Sequence, residues 1–65
     1  MPPANRDPPN EVYFEFLSVG SLVKVSAIDA ETAIEVSVMG PATASQGDLQ
    51  RLALQKLKAR LARET

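Results

Sequence analysis

The chain contains no cysteine and no histidine. The first absence removes any disulfide framework and any thiolate metal site. The second removes the Ser–His pair on which most nucleophilic hydrolases rest. A zinc site would have to be assembled from carboxylates alone, an unusual ligand set, so neither metal nor other cofactor is expected. No apolar run approaches the roughly 20 residues that a membrane-spanning helix needs. The opening "MPPANRDPPN" lacks the apolar stretch of a secretory signal, and a soluble, cytoplasmic protein without membrane association is the expectation. The three glycines form neither a G-x-G-x-x-G nor a P-loop spacing, so no nucleotide cradle is indicated.

What is present is short. Sixty-five residues, 45% of them hydrophobic and 23% charged, make one domain at most. Such a chain buries only about 60% of the surface its unfolded form exposes, so its core alone gives marginal stability. Disulfides, metals and oligomerisation are the usual supports for small domains. With the first two removed, self-association is the support left.

Charge is unevenly spread within a net of −1. Between Glu11 and Pro41, five carboxylates (Glu11, Glu15, Asp29, Glu31, Glu35) face one Lys24. Beyond that, Arg51, Lys56, Lys58, Arg60 and Arg63 outnumber Asp48 and Glu64. An acidic sheet and a basic helix that complement each other account for this division.

Four of the five prolines lie in residues 1–10. Proline lacks a donor and holds its neighbour extended, which predicts a flexible, polyproline-like tail over 1–10 and a single domain over 11–65. Pro2-Pro3 and Pro8-Pro9 give no PxxP ligand for an SH3-type partner. From Glu11 the chain alternates. Val12, Phe14 and Phe16 point one way, with Tyr13, Glu15 and Leu17 opposite. Gly20-Ser21 suits a type II′ turn, which pairs Phe16 with Val25 and Leu17 with Lys24. "DAET", Asp29 to Thr32, reads as a four-residue connection into a third strand from Ala33 to Met39, although Ala33 stands where glycine is usual. The result is a three-stranded antiparallel meander in the order 1-2-3.

Gly40-Pro41 ends the sheet, and two capping boxes then compete: Ser45 with Asp48, and Thr43 with Gln46. Either starts a helix over about 46–63, with Leu49, Ala53, Leu57 and Leu61 as its apolar stripe and Leu52 and Leu54 on the flanks. An eighteen-residue helix and an eight-residue strand are both about 27 Å long. The expected fold class is therefore α+β: one C-terminal helix packed on one face of the sheet, βββα. Its predicted strand core is Val12, Phe14, Phe16, Val23, Val25, Ala27, Ile34, Val36 and Val38.

Chemistry has few candidates. Lys24 shares the outer sheet face with Ser26 and Ser37, but a flat solvated face does nothing to lower a lysine pKa. The inferred register sets Glu15, Ser26 and Glu35 in one cross-sheet row, the carboxylates roughly 9–10 Å apart. Paired carboxylates hydrolyse glycosides only within a cleft that makes their environments unlike. Lys24, diagonal to both, bridges the cluster Glu15–Lys24–Glu35 more simply, so no catalytic residue is assigned. A three-stranded sheet backed by a helix resembles small DNA-binding domains of the plant AP2 and phage-integrase arm-binding types. Those read DNA with cations on the sheet face, which here is acidic, so nucleic acid is disfavoured. The alternative set of contacts is on the helix: Arg51, Lys56, Lys58, Arg60 and Arg63.

The outer sheet face keeps a surplus of apolar residues: Tyr13, Leu17, Leu22, Ile28 and Met39. Contiguous apolar residues rimmed by charge mark partner sites. They predict a non-catalytic interaction module that binds an unidentified protein or a second copy of itself. The pairing would be face to face or through the third strand, "AIEVSVM", edge to edge. The runs "EVYFEF", "AIDAET", "EVSVMGPA" and "LQRLALQKL" are similar to those of a small family of functionally uncharacterised proteobacterial proteins. That resemblance implies the three-strand-plus-helix fold and carries no activity, cofactor or site residue.

Overall fold

The structure is a computed structural model that describes residues 11–64. The proline-rich segment 1–10, expected to be a tail, lies outside the described residues. Three strands, β1 (Val12–Val19), β2 (Leu22–Asp29) and β3 (Glu35–Pro41), form an antiparallel sheet in the order β1-β2-β3. One helix, α1 (Gln46–Glu64), follows and packs on the sheet. This is the expected βββα arrangement.

Turn chemistry sets the pairing. Gly20 has φ 61° and Ser21 does not share the left-handed conformation, which is the type II′ combination. Phe16 accordingly lies opposite Val25, Leu17 opposite Lys24 and Tyr13 opposite Ile28. The second hairpin differs from expectation. The Asp29 N–H donates to the Ile34 carbonyl, and the Ala33 N–H to the Asp29 carbonyl. The Asp29 carboxylate accepts from both the N–H and the hydroxyl of Thr32, each at 2.8 Å. This aspartate-centred turn moves the loop one residue on, to 30–33, and leaves Ala33 in the left-handed region at φ 63°. β3 therefore starts at Glu35 and its pairing shifts by two positions, which preserves which face each residue occupies.

Helix entry is settled by Ser45. Its hydroxyl accepts the Asp48 N–H at 3.3 Å and its carbonyl accepts the Leu49 N–H, so Ser45 and not Thr43 caps the helix, while the Asp48 carboxylate pairs with Arg51. The helix docks closely at this end. A Cβ on Gly40 would lie 2.7 Å from Leu49 Cδ2.

Val23, Val25, Ala27 and Val36 from the sheet and Leu49, Ala53 and Leu57 from the helix form the buried core. Val12, Phe14, Ile34, Val38 and Leu61 pack partly against it. Phe16, expected in the core, is on the predicted face yet remains 42% exposed. The reason is width. A helix with side chains is about 10–12 Å across, while strands lie about 4.8 Å apart, so one helix covers two strands and not three. The short connection after β3 holds α1 over β3 and β2. Among the described residues, the helix-facing side of β1 is left largely open.

Candidate interaction surface

The outer sheet face is ordered in rows. Val19, Leu22 and Pro41 form one; Leu17, Lys24 and Met39 the next; then Glu15, Ser26 and Ser37; then Tyr13, Ile28 and Glu35. The predicted patch therefore splits. Leu17, Leu22 and Met39 cluster near the first turn, joined by Val19, which sequence reading left out, while Tyr13 and Ile28 sit beyond the polar row. The predicted triad Glu15–Ser26–Glu35 does not form, because the two-position shift puts Ser37 opposite Ser26. Glu35 stands across from Ile28 and is no longer diagonal to Lys24, so the charge cluster is broken. Among the described residues Lys24 makes no ion pair with either glutamate. The hydroxyls of Ser26 and Ser37 bond to each other at 3.0 Å, and Ser26 is buried, so neither is presented as a nucleophile.

The helix cations are dispersed. Arg51 pairs with Asp48 and Arg60 with Glu64 within the helix. The Lys56 ammonium donates to the Ser37 carbonyl at 2.8 Å, Lys58 borders a groove on the opposite flank, and Arg63 is exposed near the helix end. They form no single basic stripe.

The open side of β1 was not legible as a site. Between Val12 and Phe14 on β1 and Leu54, Leu57 and Leu61 on α1 runs a groove of about 610 Å³, with Asp29 and Lys58 at its margin. Asp29 is buried and committed to Thr32, so it contributes turn stability here and not a reactive carboxylate.

The two sheet edges differ. A two-residue hairpin makes Val19 and Leu22 a hydrogen-bonded pair, and antiparallel pairs then alternate along the strands. The bonds from Ala30 N–H to Glu11 carbonyl, Ala42 N–H to Ser21 carbonyl and Asp29 N–H to Ile34 carbonyl obey that alternation. The backbone groups of Val12, Phe14, Phe16 and Ser18 therefore point away from β2, as those of Glu35, Ser37 and Met39 do on β3. On β3 the Ser37 carbonyl is occupied by Lys56, and Pro41 at the strand's end has no N–H. Lysine and proline are devices that blunt an edge. β1 carries neither along its eight residues, and Glu15 is its one charge.

Comparison with family models decides the relationship: residues 9–64 match a domain of unknown function, DUF6898. The chain belongs to the DUF6898 family. No curated protein and no solved structure matches it. DUF6898 membership thus fixes kinship over nearly the whole chain and assigns no chemistry. Among the described residues no acidic group is arranged to hold a metal, and no helix is long and apolar enough to cross a membrane.

Proposed function

We propose that this DUF6898 domain is a small non-catalytic interaction module that binds through the open side of β1. The observation that carries the reading is the coincidence, on one strand, of an unblunted backbone edge and apolar side chains the helix leaves uncovered. Phe16, on the helix-facing side, is 42% exposed, and its neighbours Leu17 and Val19, on the outer face, are 57% and 48% exposed, so the strand presents apolar surface on both faces. An edge of this kind offers main-chain hydrogen bonds for affinity, and its side chains supply selectivity. A bacterial, cytoplasmic setting goes with the proposal, its bacterial part resting on the motif resemblance.

The test compares partners captured from native lysate by the wild-type chain and by Phe16→Lys, which places a charge on the exposed inner side of β1. Loss of the wild-type set supports the reading, and identical sets overturn it. A parallel gel shift with mixed RNA and DNA addresses the helix cations. Tight binding that weakens steeply with salt would favour nucleic acid instead.

A further inference from the structure

The open side of β1 is suited to one occupant in particular. We propose that β1 pairs antiparallel with β1 of a second copy, joining two sheets into one of six strands with both helices on the same face. This inference rests on β1 being the binding side and adds the partner's identity and the register.

Three constraints select the arrangement. The first is the edge. Pairing needs outward N–H and C=O groups in register, and β1 supplies them at Phe14, Phe16 and Ser18, whereas Lys56 holds the matching Ser37 carbonyl on β3. The second is the side-chain pattern. Val12, Phe14 and Phe16 all lie on the face where the helix falls short, and a two-fold axis normal to the sheet keeps the partner's side chains on that same face, so an axis at an aromatic residue pairs it with its own copy. Aromatic pairs across such strands are favourable.

The third is charge, and it chooses among registers. An antiparallel self-pairing has its axis at one residue of β1. An axis at Glu15 sets two glutamates directly opposite, which is destabilising. An axis at Phe14 sets Glu15 against the partner's Tyr13, in a row that continues to the partner's Ile28 and the partner's Glu35, with no cation. An axis at Phe16 sets Glu15 against the partner's Leu17, and the next residue in that row is the partner's Lys24. Lys24, which makes no ion pair among the described residues of one copy, thus lies two strands, roughly 9–10 Å, from Glu15 of the other, in a row that carries charges of opposite sign. In this register Tyr13 to Val19 pair along the whole length, and Phe16 meets the partner's Phe16 on the axis.

Sedimentation of the full chain across a concentration series is the test. The wild type should pass from monomer to dimer. Ser18→Pro removes an outward N–H without touching the β1–β2 ladder, so it should keep the fold by circular dichroism and stay monomeric. Glu15→Lys should weaken dimerisation about threefold at low salt, from two symmetric charge pairs each separated by one strand, and Glu15→Lys/Lys24→Glu should restore it. Because the chain has no cysteine, Phe16→Cys gives an independent readout that does not depend on the proline variant folding. It should oxidise to a disulfide-linked dimer, whereas Ser18→Cys, displaced from the axis, should not. A wild-type monomer at every concentration, or cross-linking by Ser18→Cys and not Phe16→Cys, overturns the pairing. Failure of the pairing is distinguishable from failure of the broader reading, because a monomer that still loses its captured partners on Phe16→Lys binds through β1 to something else.

Discussion

Ala33 sits at φ 63°, a conformation in which a Cβ crowds the backbone and which costs an L-residue about 1–2 kcal/mol. The turn tolerates it because Asp29 gathers Thr32 and the surrounding backbone around it. Ala33→Gly should therefore stabilise the domain by about 0.5–1 kcal/mol after the extra chain entropy of glycine. That gain raises the midpoint of a thermal melt by about 2–8 °C for a domain of this size. The contrast between Phe16 and Leu57 is equally specific. Leu57 is fully buried, so Leu57→Ala should cost about 2–5 kcal/mol, enough to unfold a marginal domain. Phe16→Ala should cost less than about 1.5 kcal/mol, because the side chain keeps much of its exposure in the folded chain. Denaturant titrations of the two variants check the order. Which face Phe16 occupies was legible from alternation; how far it is covered was not, since exposure depends on where another element ends.

Among the elements, the first hairpin and the helix were the most legible, because glycine at the first turn position and leucines every fourth residue each admit one geometry. The second hairpin was less so. Four-residue loops are ranked by where glycine sits, and this loop uses alanine at the left-handed position, so its register could slide by two without exposing the core face. Glu35 was misplaced for that reason, and with it the only carboxylate pair that suggested catalysis. The helix start was ambiguous between two boxes until the Ser45 hydroxyl was seen on the Asp48 N–H. Ser45→Ala should accordingly cost about 1 kcal/mol and Thr43→Ala very little. Parallel melts of the two variants decide it, and a larger loss from Thr43→Ala would move the cap.

At the scale of the whole molecule, helix and strands match in length but not in width. Length lets the helix reach from end to end of the sheet, and this much was legible from residue counts. Width limits it to two strands, which depends on how the chain after β3 places the helix. That limit leaves β1 uncovered and moves the proposed binding surface from the outer sheet face to the helix-facing side and edge of one strand. Amide hydrogen exchange, residue by residue and at several protein concentrations, tests that claim most directly. The N–H groups of Tyr13, Glu15 and Leu17 point into the sheet and should be protected at every concentration. Those of Phe14, Phe16 and Ser18 point outward and should exchange freely in dilute solution, then slow as the concentration rises and the second copy binds. If these three stay unprotected throughout while Ser37 and Met39 slow instead, β3 is the binding edge and the assignment to β1 is wrong.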